Sequence, residues 1–159
     1  MKRITLVKEA SYLAIAAHGT QTYDGYPYYY HLEQVVDVLK EYGYTDDKFV
    51  ISGYLHDTVE DTDVSYNDIH QKFGLDIAEI VYAVTDELGR NRLERKTKTL
   101  PKIAENLDAI IIKLADRIAN LRNPKKKGMY AKEYQVFKTL LYKPDHAESM
   151  WSELDELVL

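Results

Sequence analysis

The sequence predicts an all-α fold, a single helical domain spanning residues 1–159. Three observations carry that expectation. Apolar residues recur at helical spacing in one segment after another, glycines and prolines fall between those segments, and 159 residues suit one domain with a sizeable core. No repeat, low-complexity tract or linker divides the chain.

Thr5 to His18 carries Leu6, Ala10, Leu13, Ile15, Ala16 and Ala17 and stops at Gly19. His18 reads there as a packed or C-terminal histidine rather than a ligand. Gly19 to Tyr30, broken by Gly25 and Pro27, reads as a loop. From His31, the residues Leu32, Val35, Val36, Val38 and Leu39 define an amphipathic helix stopped by Gly43. Asp46 or Asp47 caps the next helix, which runs over Phe49 to Asp61. Ser65 resembles the N-cap of a short helix through Phe73, with Gly74 as its stop. Leu75 to Asp86 is helical in period, and Gly89 to Lys98 is a polar, basic connection. A short helix over Lys98 to Asn106 takes Pro101 into its first turn. Asp108 to Leu121 is the most apolar helix. A strand competes for Ala109 to Ile112, but the period beyond favours helix. Asn123-Pro124 ends it, Lys125 to Gly128 is a loop, and two last helices cover Tyr130 to Tyr142 and Ala147 to Val158.

Composition limits the classes of function. With 45% apolar and 30% charged residues the chain is ordinary for a soluble protein. No apolar run approaches the roughly 18 residues needed to cross a bilayer, and no secretory segment follows Met1, so a cytoplasmic protein without membrane partners is expected. Cysteine is absent, which removes disulfides, thiol nucleophiles and thiolate-bound zinc. A net charge of −5 and a pI near 5.5 speak against non-specific nucleic-acid binding. Tyrosine is over-used, 14 against three Phe and one Trp, which points to amphipathic surfaces or a stacking site. Oligomeric state is left open.

The densest chemistry lies at His56-Asp57-Thr58-Val59-Glu60-Asp61, one imidazole and three carboxylates within six residues. On one helix, His56 and Glu60 share a face, as do Asp57 and Asp61. Aligned acidic groups repel unless a cation or a developing charge repays them; otherwise this is only a solvated acidic helix end. Asp116 adds weight, because it is an acidic residue inside an apolar helix, with Asn120 one turn on. Arg117 offers a structural alternative as the ion-pair partner of Asp116. Two histidines and two aspartates from three helices would make a mixed nitrogen and oxygen site suited to Mn²⁺ or another six-coordinate divalent ion.

His31, His56-Asp57 and Asp116 resemble the H…HD…D signature of the HD-domain metal phosphohydrolases. The flanking text resembles the (p)ppGpp-hydrolase branch, which includes RelA/SpoT-type hydrolase domains and their small animal relatives. The matching pieces are Ala17-His18, Gly25-x-Pro27-Tyr28-x-x-His31, Leu55 to Thr62, Phe73-Gly74, Val84-Thr85-Asp86, Glu94-Arg95-Lys96 and Lys113 to Arg117 with Asn120-Leu121. At this length the resemblance implies a stand-alone HD-type helical domain without a synthetase domain. It implies that His31, His56, Asp57 and Asp116 hold Mn²⁺ or another divalent metal, and that Glu60 and Asp61 orient and deprotonate the attacking water. It also implies that Asn120 contacts the nucleotide sugar or the reacting phosphate. Arg92, Arg95, Lys96 and Arg117 are candidate phosphate clamps, or else solvated surface charges.

The expected activity is removal of the 3′-diphosphate of guanosine polyphosphates such as (p)ppGpp, with pyrophosphate released. The alternatives are another phosphorylated nucleotide, such as NADPH or ppApp, and a non-catalytic nucleotide-binding module. Retention of Glu60 and Asp61 weighs against the last. Where relatives carry an Arg-Lys pair that packs on guanine, this sequence has Thr22 and Tyr23, and His31 is followed by Leu32 rather than proline. Tyr23 is therefore a candidate to stack a purine, with weaker base selectivity. Tyr29 and Tyr30 read as packing residues.

Overall fold

The structure, a computed structural model, describes residues 4–159. Thr5 caps the first helix, α1 (Leu6–His18), its hydroxyl accepting from the Lys8 N–H at 3.2 Å. Ala10, Ala14 and His18, spaced by four, form the buried stripe of α1. The expected loop then holds a small antiparallel hairpin, β1 (Thr22–Tyr23) and β2 (Tyr26–Pro27), with Tyr23 opposite Tyr26. Asp24 and Gly25 have φ of 51° and 81°, the positive values that a tight two-residue hairpin turn demands. The Asp-Gly pair was the signal for it.

The helix α2 (Tyr29–Glu41) begins two residues before the expected His31. Tyr30 is 45% exposed and stacks on Tyr29 at 4.7 Å, so this pair packs on itself at the surface and not in the core. The helix expected over Phe49 to Asp61 is broken in two: α3 (Asp47–Leu55) and the single turn α4 (Thr58–Asp61). The break falls at His56-Asp57, where Asp57 opens to φ −104° and ψ 0°. Ser65 and Asp68 form a reciprocal capping box at the start of α5 (Tyr66–Phe73), and α6 (Leu75–Val84) follows Gly74.

The basic connection is largely helical, since α7 runs Arg92–Ala104. Asn91 caps it, accepting from the Glu94 N–H at 2.9 Å, and Pro101 lies inside the helix instead of in its first turn. A cap at Asn91 was legible in the sequence; the polar face of α7 hid the helix behind it. The most apolar segment is the helix α8 (Leu107–Leu121), which removes the strand alternative. Asn123 caps a 3₁₀ turn (Pro124–Lys126) that leads straight into α9 (Lys127–Leu141), so Lys125 to Gly128 is helical as well. The last helix is α10 (Glu148–Leu157).

The fold is all-α apart from the hairpin. α8 is buried on nearly every side, and α2, α6, α7 and α10 pack around it. Its Ile110, Ile112, Leu114 and Ile118 share one apolar cluster with Val35 and Leu39 of α2 and Trp151 of α10. A second cluster joins Ala10 and Ala14 to Leu32, Ile51, Leu55 and Ile69. α2 contributes to both, so His31 stands between them. No helix of the described residues is long and apolar enough to cross a membrane.

Gly53 lets α2 and α3 approach. A Cβ there would lie 3.0 Å from Leu39 Cδ1 and 3.1 Å from a Val36 methyl. Gly53→Ala should therefore destabilise the chain by about 1–3 kcal/mol of overpacking, which outweighs the gain of up to about 1 kcal/mol in helix propensity. Urea denaturation checks this; a stabilised variant would show that the two helices have room to spare.

Candidate functional site

Three helices meet at one carboxylate oxygen. His31 near the start of α2 places Nε2 2.9 Å from Oδ1 of Asp116 on α8. His56, at the end of α3, places Nε2 3.4 Å from the same oxygen and 3.1 Å from Oδ2 of Asp57. The His31, His56 and Asp116 donor atoms all lie within 4.8 Å of one another. Asp57 falls into a second such group with Glu60 and Asp61, so it joins the imidazoles to the two carboxylates of α4.

This donor set fits a divalent cation. His56 Nδ1 donates to the Gly53 carbonyl at 2.7 Å, which leaves Nε2 as the ring atom free to ligate. That Nε2 is buried and, its approaches to the two carboxylates apart, has no hydrogen-bond partner among the described residues. Burial opposes a charged His56, yet Asp57 and Asp116 outweigh it and raise the imidazole well above its ordinary value. Burial likewise pushes Asp116 and Asp57 up, but their histidine neighbours pull both below the usual carboxylate range. A divalent cation would satisfy the same carboxylates without that proton, so binding would release it.

Glu60 and Asp61 sit at the exposed edge. Glu60 is held by the Asp86 N–H, which donates to Oε1 at 2.7 Å. Burial and then the Asp57 and Glu60 charges push Asp61 up to about 6. Asn120, one turn beyond Asp116, donates to Asp116 Oδ1 at 3.3 Å and accepts from the Tyr23 hydroxyl at 2.5 Å. The Tyr23 ring stacks on His31 at 4.5 Å and 19°, and Lys126 Nζ lies 3.9 Å from its centre. Tyr23 thus props a histidine and offers less open ring to a purine than the sequence suggests.

All of these residues line one cavity of 310 Å³, together with Arg92, Arg95, Lys96, Lys113, Arg117 and Lys126. The basic side chains differ in how committed they are. Lys96 grips both oxygens of Asp86 at 2.9 Å, and Arg92 grips Glu133 at 2.5 and 3.1 Å. Arg95 has no ion pair among the described residues, and the loop at Gly89 packs directly on its backbone. Arg117 does not pair with Asp116. It turns to Glu133, 3.9 Å away, because adjacent residues on α8 point about 100° apart and Asp116 is turned to the histidines.

Sequence reasoning passed over four residues here. Tyr28 donates to Asp57 Oδ2 at 2.5 Å and stacks on His18 at 4.4 Å, which is packed as expected. Gln21 holds His18 Nδ1 at 2.7 Å and donates to the Asp61 carbonyl at 2.9 Å, tying the hairpin to α4. Lys113 stands 3.6 Å from Asp116 Oδ2, and its spacing of three from Asp116 was the available signal. Lys126 had none, because only the turn after α8 brings it to Tyr23.

The HD domain family matches residues 10–141. The guanosine-3′,5′-bis(diphosphate) 3′-pyrophosphohydrolase MESH1 of Drosophila melanogaster is 38% identical over 99 residues, 61% of this chain and 55% of that protein. The Xenopus tropicalis MESH1 is 35% identical over 76% of this chain and 70% of its own length. The guanosine-3′,5′-bis(diphosphate) 3′-pyrophosphohydrolase of Aquifex aeolicus is 31% identical over 95% of this chain and only 23% of its own length. The chain thus spans about half of the fly relative and under a quarter of the Aquifex one. A solved structure described as a metazoan ortholog of SpoT that hydrolyses ppGpp superposes with a TM-score of 0.84 at 27% identity, over 100% of this chain and 99% of that one.

Two measurements probe the site directly. Mn²⁺ should raise the melting temperature, by a stabilisation of about 2.7 kcal/mol at 100 times Kd, and Asp116→Ala should abolish the rise; equal shifts in both proteins would place the ion elsewhere. In EDTA, the raised Asp61 carboxyl makes the folded chain bind more protons than the unfolded one between about pH 4 and 6. Its contribution to stability therefore falls as pH rises through that window and is flat above it. Asp61→Asn should remove that slope from urea midpoints taken at pH 4 to 7, whereas parallel profiles would mean that Asp61 is unperturbed.

Proposed function

Because the chain belongs to the HD-domain family, we propose that it is a metal-dependent phosphohydrolase that removes the 3′-diphosphate from guanosine polyphosphates such as (p)ppGpp and releases pyrophosphate. One observation carries the reading: the imidazoles of His31 and His56 and the carboxylates of Asp57 and Asp116 line one cavity with Glu60, Asp61 and a bank of cations. The names of the fly, frog and Aquifex relatives support the substrate.

His31, His56, Asp57 and Asp116 would hold the ion, Mn²⁺ or another divalent metal. When bound, such an ion supplies Lewis acidity toward a phosphoryl oxygen and lowers the pKa of water toward about 7. Asp61, with its raised carboxyl, suits the role of proton acceptor for the attacking water, and Glu60, fixed by the Asp86 N–H, suits that of orienting it. Arg95, free of ion pairs among the described residues, is the readiest phosphate partner, and Lys96 and Arg92 stand beside it. Asn120 is held by Tyr23 and Asp116 with one amide hydrogen left for the sugar or phosphate. Lys113, 3.6 Å from Asp116 Oδ2, adds to the pull of His31 and His56 that holds this carboxyl below its usual range against the cost of burial.

Base selectivity is the open element of this site, since the wall beside Asn120 is Tyr23 under Lys126. The Tyr23 hydroxyl is spent on Asn120 and its ring accepts any purine, which keeps ppApp and NADPH as candidate second substrates.

The test is turnover of ppGpp, pppGpp, ppApp and NADPH by the Mn²⁺-loaded chain. Glu60→Gln and Asp61→Asn should each lower kcat by about 10²–10⁴ with little change in KM. Rapid turnover of ppApp or NADPH with none of ppGpp would overturn the substrate and leave the metal site standing. Metal and nucleotide binding without any turnover would make this a binding module.

A further inference from the structure

Arg117 is a charge that the fold buries with a single, distant carboxylate to answer it. The residue is 2% exposed. Tyr130 and Phe137 of α9 lie 4.3 and 4.2 Å from its guanidinium carbon, and Nη2 is 3.9 Å from Glu133 Oε2. Its Nε and Nη1 are buried with no hydrogen-bond partner among the described residues. An arginine cannot escape by losing its proton, and aromatic faces do not replace acceptors in the plane of the N–H groups. A buried cation with open donors is a site for an anion.

Arg92 stands on the other side of the same carboxylate. Its Nε and Nη2 hold both oxygens of Glu133, so one acid serves two guanidiniums, closely for Arg92 and at a distance for Arg117. Both arginines line the central cavity. The neighbouring groove between α7 and α9 is lined by the same two arginines and also by Glu133, which does not line the central cavity. The order from the cavity outward is therefore ligand space, guanidiniums, carboxylate.

We propose that Glu133 is a displaceable counter-ion, which neutralises Arg92 and Arg117 in the free chain and yields them to a second phosphate or diphosphate group of the substrate, the one that is not cleaved. This rests on the cavity being the substrate cavity assigned above. No covalent bond changes; a group of two or more negative charges replaces a monoanion as partner of two fixed cations. Glu133 is on this view a positioning residue that sets how strongly substrates with a second phosphorylated arm are preferred. A purely structural Glu133, tying α7 to α9, predicts the opposite sign, because losing a brace loosens every ligand while losing a competitor tightens anions.

The experiment is calorimetric titration of pyrophosphate into the full chain in EDTA, so that neither hydrolysis nor the metal enters. The wild-type chain should bind it, Glu133→Gln about tenfold more tightly, and Arg92→Gln at least tenfold more weakly. Should Glu133→Gln fail to fold, Glu133→Asp keeps the charge, shortens the reach and should tighten binding to a lesser degree. In the metal-loaded protein, Glu133→Gln should lower KM for ppGpp and hold kcat. A wild-type chain that ignores pyrophosphate, or Glu133 variants that bind it equally or more weakly, overturns the proposal. Tightening of pyrophosphate without any ppGpp turnover would keep the counter-ion and reject only the substrate.

Discussion

One oxygen organises this molecule. Oδ1 of Asp116 lies within 2.9 Å of His31 Nε2, 3.4 Å of His56 Nε2 and 3.3 Å of the Asn120 amide nitrogen, so side chains of α2, α3 and α8 converge on it. Carboxylates are seldom buried without partners, and much of the surrounding packing serves to supply them here. Gly53 brings α3 against α2 and offers its carbonyl to orient His56. The break in helix after Leu55 turns Asp57 to the imidazole while keeping Glu60 and Asp61 near it.

A further layer fixes the ligands' own positions. Tyr28 bonds Asp57, Tyr23 bonds Asn120 and backs His31, and Gln21 ties His18 to the start of the acid-rich turn's exit. All three belong to the hairpin segment between α1 and α2. The tight Asp24-Gly25 turn brings Tyr23 and Tyr28 to the same wall, where a longer loop would spread them. The excess of tyrosine is thereby partly explained: a phenol stays protonated beside carboxylates, burial and anionic neighbours having raised Tyr23 and Tyr28 further, so each remains a donor.

Charge is sorted within the cavity. Acids gather on α4 and at Asp116, and cations come from α7, α8 and the turn before α9. Two of the six cations are tightly engaged, Lys96 by Asp86 and Arg92 by Glu133, which limits their mutual repulsion before a polyanion arrives. The chain as a whole carries −5, so attraction for a phosphorylated ligand is a local property of this cavity and not of the surface at large.

The sequence by itself determined the helical class, most helix limits and the residue types that converge at the site. Period, caps and glycine stops are local properties, and His31, His56-Asp57 and Asp116 form a pattern readable along the chain. Local periodicity also misled. It ran one helix through His56-Asp57, and it took the polar first half of α7 for a connection because the buried residues of that helix, Thr99, Leu100 and Ile103, all lie in its second half. Only the tertiary structure decided which partner each charged group takes. Arg117 neighbours Asp116 in sequence but faces Glu133, sixteen residues on, because adjacent helical residues point about 100° apart. Tyr28 and Lys126 likewise meet the site through a hairpin and a 3₁₀ turn whose effect is to bring distant residues together, and pairwise electrostatics acts through space and not along the chain.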